Sequence, residues 1–327
     1  MISPLLEQAL ETRQSHMSAP HESAFRLFNG FTEGCPDLVI DIYASTAVIH
    51  NYAENPDRGM VFVREAYELL QDELNWLRAG IIKTRNSTSQ EARRGELLFG
   101  TVIDKKIREH GIWHAIDLTL NRDASFYIDT RRLRKWLIDN MQARSVLNTF
   151  AYTGSFGVAA LAGGASRVIQ TDLNRQFLNL AKDSYSLNGF PIHKRDFIAQ
   201  DFFPTIAKFK STGQFFDCVI IDPPFFSTTS RGRVDLENDG TRLINKVRPL
   251  IEDGGHLVTI NNALFVSGRE YMQTLETLCR DGYLSIEEII PVPEDVIGFQ
   301  NLGMPITDPA PFNHSTKIAV LKVRRKS

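Results

Sequence analysis

The alternation of strand-like and helical segments after residue 130 is the feature that most restricts the fold. Apolar runs of strand length recur there, separated mostly by segments whose apolar residues repeat at helical spacing. The runs are 145–148, 167–170, 194–199, 216–221, 256–260, 285–291 and 317–323. Strands that are apolar on both faces belong to parallel sheets covered by helices on each side, and the last two runs predict an antiparallel edge. The chain is therefore predicted to be an α/β protein with a seven-stranded, Rossmann-like sheet.

The first 120 residues have a different character, because strand-like runs dominate them. Turn residues such as Asn29-Gly30 separate these runs, and helical spacing occurs only at the extreme N-terminus and near 59–71. We predict a β-rich accessory domain over 1–120 that recognises the substrate. The α/β domain then covers 121–327.

Several classes of protein are excluded by simple patterns. No apolar run approaches the roughly 18 residues needed to span a bilayer, and the first residues lack the basic flank of a signal peptide. The cysteines, Cys35, Cys218 and Cys279, have a spacing that fits neither a disulfide framework nor a metal site. His110 and His114 lie four residues apart, but Gly111 occupies the place where a zinc protease needs glutamate. We expect a cytoplasmic protein without a membrane partner and without a bound metal.

Charge does not decide the substrate. The formal net charge is −2, yet basic clusters occur at 105–108, 131–135 and 322–326. A basic face can coexist with a neutral total, although a single cluster is more often a solvated surface. Nucleic-acid binding thus stays open at this point.

Small and acidic residues follow the first three predicted strands of the α/β domain, where ligands of open sheets bind. The segment 148–157, Asn-Thr-Phe-Ala-Tyr-Thr-Gly-Ser-Phe-Gly, lets the backbone approach a ligand but lacks the G-x-G-x-x-G of dinucleotide sites, which argues against a dehydrogenase. Asp172 follows the second strand, where a carboxylate can accept the hydroxyls of a ribose. Asp201 follows the third, where an adenine amino group could be held. A helix N-cap, formed by Asp172 or Asn174 in the first case, is the competing interpretation of each aspartate.

The fourth of these strands ends in Asp222-Pro223-Pro224-Phe225-Phe226. Two successive prolines fix the backbone and remove amide donors, so we expect the chain not to continue as strand or helix. Asp222 would then present its oxygens at the edge of the sheet, where they can accept hydrogen bonds from an amino group. The neighbouring aromatic rings offer a stacking surface for a planar base.

Together these segments resemble the class I S-adenosylmethionine-dependent methyltransferases that modify large-subunit (23S) ribosomal RNA at cytosine C5 or guanine N7. The resemblance runs from about Ala24 to the C-terminus. Residues 26–43 are similar to the accessory-domain signature of the family, 126–131 to the segment that lines the donor site, and 146–156 to the donor-binding loop.

The resemblance implies a seven-stranded Rossmann-like methyltransferase sheet over 121–327, with S-adenosyl-L-methionine as the cofactor. The residues that it places at the cofactor are Tyr127, Asp129, Arg131, Asn148, Phe150, Tyr152, Thr153, Gly154, Phe156, Asp172, Leu173, Asp201, Phe202 and Asp222. The residues that it places at the reacting atoms are Asp222, Pro223, Pro224, Phe225 and Phe226.

Two departures from the family pattern refine the expected function. Members commonly carry an N-terminal RNA-binding PUA domain, which we do not expect here because little sequence precedes Ala24. The cytosine-C5 members carry Ser-Cys-Ser after the fifth strand, whose thiolate attacks the ring, whereas this chain has Asn261-Asn262, as in the guanine-N7 branch.

We therefore predict an N-methyltransferase acting on a purine of large-subunit ribosomal RNA, with RNA as its partner. Two alternatives stay open: a methyltransferase of a small planar metabolite or natural product, and a catalytically silent RNA-binding or assembly factor. The sequence leaves the target atom and the oligomeric state open, a homodimer included.

Overall fold

The structure, a computed structural model, describes residues 2–229, 231–236, 240–303 and 307–325. The chain divides into two compact units, Met1–Asp129 with Pro293–Pro305, and Thr130–Val292 with Ile306–Ser327. The first unit extends to Asp129, nine residues beyond the predicted boundary at 120, and includes the late segment Pro293–Pro305. Within the described ranges, every helix is too short or too polar to traverse a lipid bilayer.

A five-stranded sheet organises the first unit, and its strands lie in chain order. The strands are β1 (Ala24–Asn29), β2 (Leu38–Tyr43), β3 (Thr46–Asn51), β4 (Ala79–Thr84) and β5 (Glu96–Gly100). The helices are α1 (Ser3–Thr12), α2 (Gly30–Glu33), α3 (Pro56–Glu73) and α4 (Gln90–Arg94), with a 3-10 turn at Gln14–His16. Neighbouring strands are antiparallel except β3 and β4, which are parallel because α3 crosses between them. Leu6 of α1 and Val63 of α3 share a core with Phe25 and Ile40 of the sheet.

Two smaller elements complete this unit. A hairpin is formed by β6 (Lys106–Glu109) and β7 (Ile112–Ala115). The short helix Glu294–Ile297 lies against β1, where the Asp295 carboxylate accepts a hydrogen bond from the Arg26 amide at 3.1 Å.

The second unit contains the predicted seven-stranded sheet. Its strands are β8 (Ser145–Thr149), β9 (Arg167–Asp172), β10 (Phe197–Ala199), β11 (Phe216–Ile221), β14 (Ile251–Asn261), β15 (Leu284–Ile290) and β16 (Lys317–Val323), with a separate hairpin of β12 (Phe226–Thr229) and β13 (Gly232–Asp235). The helices are α5 (Arg131–Asn140), α6 (Ser155–Ala162), α7 (Arg175–Leu187), α8 (Phe202–Ser211), α9 (Gly240–Val247) and α10 (Gly268–Cys279). Further 3-10 turns occur at Ile128–Thr130, Lys194–Asp196 and Arg248–Leu250.

The strand order is β10-β9-β8-β11-β14-β16-β15, so the direction of winding reverses between β8 and β11. The first five strands are parallel, and β16 is antiparallel to both of its neighbours. The predicted α/β class, the seven-stranded sheet with its antiparallel edge and the β-rich N-terminal sheet are therefore confirmed.

Alternate residues of these strands are buried in two different cores. Val146 and Ile220 belong to the core on one face of the sheet, and Leu147 and Val219 belong to the core on the other. Because both faces of β8 and β11 are covered, these two strands are mostly apolar, and the sequence therefore indicated them.

Candidate active site

The ends of β8 and β11 meet at the point where the strand order reverses. Thr149 lies opposite Ile221 in register, and its hydroxyl donates a hydrogen bond to the Ile220 carbonyl at 2.8 Å. The chain leaves the sheet directly after both residues. The structure thus brings the segment after Thr149 and the segment after Ile221 to the same sheet edge, where ligands of open α/β sheets bind.

The loop between β8 and α6 has an unusual backbone. Phe150, Tyr152 and Gly154 have left-handed φ angles of +52°, +50° and +77°. This conformation costs a non-glycine residue on the order of 1 kcal/mol or more, so surrounding contacts must enforce it. One such contact is the hydrogen bond from the Ala151 amide to the Thr171 carbonyl, at 2.9 Å. Strain maintained at a strand end marks this loop as a candidate for ligand binding.

Asp172 at the end of β9 is a second contact that shapes the loop. One of its carboxylate oxygens accepts from the Tyr152 amide and the other from the Asn174 amide, each at 2.8 Å. Burial raises the pKa of Asp172, against hydrogen bonds from the Asn174, Tyr152 and Leu173 amides, which lower it. A carboxylate offers about four acceptor positions, so positions remain for a ligand. The Asn174 side chain accepts from the Gln176 amide, so Asn174, and not Asp172, is the N-cap of α7.

A buried glutamine supports the same loop from below. The Gln170 side chain donates to the Gly154 carbonyl at 3.1 Å and accepts from the Asn148 side chain at 2.7 Å. A Cβ atom on Gly157 would overlap the Gln170 amide, so a glycine is required there. Sequence reasoning missed Gln170, although a polar residue inside the apolar strand 167–170 was a usable signal.

The predicted cofactor residues of this region therefore occupy different environments. Asn148 is fully buried beneath the loop, and Phe156 belongs to the core between α6 and the sheet. Leu173, in contrast, is 65% exposed although it is apolar. The Phe150 ring stacks on Phe202 with centroids 4.7 Å apart. Thr153 is buried at the end of the loop.

Asp201 is the N-cap of α8, as the competing interpretation suggested. One oxygen accepts from the Phe203 amide at 2.9 Å, and the other accepts from the Thr229 hydroxyl of β12 at 2.6 Å. A role at an adenine group would have to use its remaining acceptor positions.

The Asp222-Pro223-Pro224-Phe225-Phe226 segment follows β11 directly. Asp222 is partly buried, whereas Phe225 and Phe226 are 39% and 55% exposed. As expected, the chain leaves the sheet at Asp222, and residues 222–225 are neither strand nor helix. A new strand, β12, starts at Phe226 in a separate hairpin. The Arg233 guanidinium of β13 lies 5.2 Å from the centre of the Phe226 ring. An exposed aromatic surface thus stands next to a carboxylate.

Asn262, which follows β14, completes this edge and was absent from the predicted site. Its side-chain amide donates to the Pro223 carbonyl at 3.5 Å, a weak contact. Its oxygen is buried and has no hydrogen-bond partner among the described residues.

Among the described residues, this edge of the sheet has neither a reactive thiol nor a metal-binding cluster. Burial raises the pKa of the Cys218 thiol to about 12, and burial also raises the pKa values of Cys35 and Cys279. At neutral pH all three stay protonated, which makes them poor nucleophiles. No cluster of three or more histidine, cysteine, aspartate or glutamate side chains suited to a metal ion occurs in the part of the chain that the structure describes.

The three remaining predicted residues lie outside the loop region. Tyr127 and Asp129 belong to the first unit, where the Tyr127 hydroxyl donates to Asp123 at 3.1 Å. Arg131 is the first residue of α5 in the second unit. Their role at a cofactor stays a prediction.

Comparisons with known proteins agree with this geometry. Residues 26–287 match the model of a family described as S-adenosylmethionine-dependent methyltransferase. The Ribosomal RNA large subunit methyltransferase I of Aeromonas salmonicida is 29% identical over 256 residues, which are 78% of this chain and 64% of that protein. The Putative ribosomal RNA large subunit methyltransferase YwbD of Bacillus subtilis is 28% identical, over 89% of this chain and 74% of that protein.

A solved structure has the same fold. It is SMU.776, a putative methyltransferase complexed with SAH, with a TM-score of 0.85 and 20% identity over 98% of this chain and 80% of that one. At that identity the likeness concerns the fold alone. The chain spans 64% of the length of the Aeromonas relative, so segments of that protein have no counterpart in the match.

Proposed function

The chain belongs to the S-adenosylmethionine-dependent methyltransferases, and from that membership we propose that it methylates a nitrogen of a purine in large-subunit ribosomal RNA. The observation that carries the proposal is the meeting of the strained loop after β8 with the Asp222-Pro223-Pro224-Phe225 segment after β11. Two relatives are named as a ribosomal RNA large subunit methyltransferase and a putative one, and these names support RNA as the acceptor. A cytoplasmic location follows from an RNA acceptor and is part of the proposal.

The residues at the loop fit an S-adenosyl group chemically. Asp172 accepts from the Tyr152 amide of the loop and from the Asn174 and Leu173 amides after β9, and we assign its remaining acceptor capacity to the ribose hydroxyls. The exposed Leu173 offers an apolar surface to the adenine, with Phe202 and Asp201 at the next strand end. Phe150, Tyr152, Thr153 and Gly154 would hold the remainder through the left-handed loop.

The acceptor would bind at the segment after β11. When bound, S-adenosylmethionine supplies an electrophilic methyl carbon. Asp222 would accept a hydrogen bond from the purine amino or imino group and turn the nitrogen lone pair toward the loop. Phe225 or Phe226 would stack on the purine ring. The Asn262 side chain contacts the Pro223 carbonyl, and its oxygen, which has no partner among the described residues, is a further acceptor. Such alignment of two reactants is the main contribution that this transfer needs from a protein.

The raised pKa values of the cysteine thiols favour nitrogen over carbon as the acceptor atom. Methylation of cytosine C5 in this family proceeds through attack by a cysteine thiolate, for which a lowered pKa is needed. The pKa of Cys218 is instead raised to about 12, and Asn261-Asn262 occupies the position of the attacking cysteine.

One experiment tests whether the acceptor is ribosomal RNA, and a second tests the role of Asp222. Mass spectrometry of ribosomal RNA nucleosides, from cells with and without the gene, should show the loss of one methylated purine. An unchanged profile would refute the RNA acceptor and favour a small planar metabolite. Asp222→Asn should lower turnover about 100-fold or more, as loss of a group that orients the reactants does, while the exposed Asp281→Asn control keeps wild-type turnover. Wild-type turnover in Asp222→Asn would refute the assigned role.

A further inference from the structure

The β6–β7 hairpin of the first unit has a solvent face that combines cations with an indole ring. Along β6 the burial alternates, with Ile107 and Glu109 buried and Lys106 and Arg108 exposed. In the register of the hairpin, Trp113 lies directly opposite Arg108 and therefore on the same face.

Both cations lie close to the Trp113 ring. The Lys106 ammonium is 4.1 Å from the ring centre and the Arg108 guanidinium carbon is 5.5 Å from it. Arg108 also contacts Glu22 at 3.7 Å, yet its side chain remains 48% exposed. Lys105, directly before the hairpin, is exposed as well. The face as a whole is thus cationic, with a partly exposed aromatic ring at its centre.

The other face of the hairpin anchors it. Ile107 and Ile112 are buried, and the Arg108 amide donates to the Glu22 carbonyl at 2.7 Å. At the tip, His110 and Gly111 have φ angles of +51° and +81°, the left-handed pair that a two-residue hairpin turn requires. The cations and the ring are therefore presented on a fixed platform, which reduces the entropy lost on binding.

We propose that this hairpin face, Lys106, Arg108 and Trp113, binds a single-stranded segment of the RNA acceptor. An RNA strand alternates anionic phosphates with flat bases, so it can engage the cations and the ring together, whereas an acidic peptide engages only the cations. The inference rests on the proposed function, which makes RNA the acceptor, and it assigns RNA binding to a surface of the first unit.

The test measures binding of the full chain to a fluorescent single-stranded oligoribonucleotide by anisotropy over a range of salt concentrations. Trp113→Ala should weaken binding roughly 5- to 150-fold, the range found for loss of one stacked base. Lys106→Ala with Arg108→Ala should lower the slope of log Kd against log salt by about 1.4, since each phosphate contact on a single strand contributes about 0.7. Arg58→Ala with Arg64→Ala on α3 is the control: both arginines are exposed, and the charge change is equal.

Trp113→Phe distinguishes loss of the aromatic ring from loss of folding. It keeps a stacking ring, so it should retain most of the affinity, and the unfolding midpoint of each variant shows whether it is folded. The inference is overturned if the wild-type chain binds no RNA, if the hairpin variants bind as the control pair does, or if polyglutamate binds with the same dependence on Trp113.

Methyl incorporation from S-adenosylmethionine is measured separately to keep the two proposals apart. RNA binding that depends on the hairpin, without any methyl transfer to RNA, would refute the proposed function alone. Methyl transfer to RNA, together with an RNA affinity that the hairpin variants do not change, would refute this inference alone.

Discussion

Gly154→Ala offers the sharpest test of the loop after β8. Gly154 has φ +77°, and a Cβ atom placed on it would lie 2.5 Å from the Ala181 Cβ and 2.8 Å from the Gln170 amide nitrogen. Ala181 is fully buried in α7, so its Cβ cannot rotate away as the end of a flexible side chain would. The alanine must therefore displace the loop or the helix.

The expected magnitude has two parts. A left-handed alanine costs about 1–2 kcal/mol relative to glycine, and overpacking of a well-filled region costs about 1–3 kcal/mol more. The sum, roughly 2–5 kcal/mol, can be relieved by moving the loop. That movement would also disturb the Tyr152 amide, which donates to Asp172, and with it the proposed cofactor site.

Gly213→Ala is the matched control, because Gly213 has φ +62° and a Cβ atom added there would meet no described atom within 4 Å. It should lower the free energy of unfolding by the backbone part alone, about 1–2 kcal/mol, and leave cofactor binding unchanged. Isothermal titration with S-adenosylmethionine should show an affinity loss of at least 10-fold for Gly154→Ala. If both variants bind S-adenosylmethionine as tightly as the wild type, the loop is not the cofactor site and the reasoning fails.

Three other residues, Asp172, Cys218 and Lys317, give further tests. Asp172→Asn should weaken S-adenosylmethionine binding by about 1.5–3 kcal/mol, the value of a hydrogen bond to a charged group, as titration calorimetry would reveal; unchanged binding would contradict the assigned role. Cys218→Ala should keep methyl transfer at the wild-type rate, and a loss of activity in a folded variant would contradict an N-methyl acceptor. Burial lowers the pKa of Lys317 to about 8, and that of Lys83 likewise. Because the unfolded chain then binds more protons between pH 8 and about 10.5, the free energy of unfolding should rise with pH in that window, by on the order of 1 kcal/mol per pH unit for each lysine. Urea unfolding at pH 8 and 9.5 should show a smaller rise for Lys317→Met, and an equal rise would contradict the lowered pKa.

The central strands of the second unit, such as β8 and β11, were predictable because both of their faces are buried. β14 shows where this signal ends: it starts at Ile251, but the polar residues 252–255 hide its first half, so the sequence indicated only 256–260. The return of 293–305 to the first unit left no trace in the local pattern. It depends on tertiary contacts such as the Arg26 amide with the Asp295 carboxylate, which no periodicity encodes.

The break after β11 was predictable from the two prolines, whereas the hairpin that follows it was not. A proline restricts its own φ and the residue before it, so Pro223 and Pro224 constrain the chain only from 222 to 224. Nothing prevents a strand from starting at Phe226, and β12 does so as it pairs with β13. The Thr229 hydroxyl of this hairpin donates a hydrogen bond to Asp201 and so connects the chain after β11 to the chain after β10. The spacing of residues in the sequence could not reveal this contact.

The loop after β8 shows why positions can be predicted while their geometry cannot. Phenylalanine and tyrosine disfavour left-handed backbone, so the local sequence argues against the φ angles of Phe150 and Tyr152. They persist because Asp172 and Thr171, from the neighbouring strand, bind the loop amides. A backbone conformation that the local sequence disfavours must be stabilised by tertiary contacts, here the hydrogen bonds from the loop amides to the Asp172 carboxylate and the Thr171 carbonyl. The polar Gln170, inside an apolar run and against the loop, was therefore the residue from which a strained loop could have been inferred.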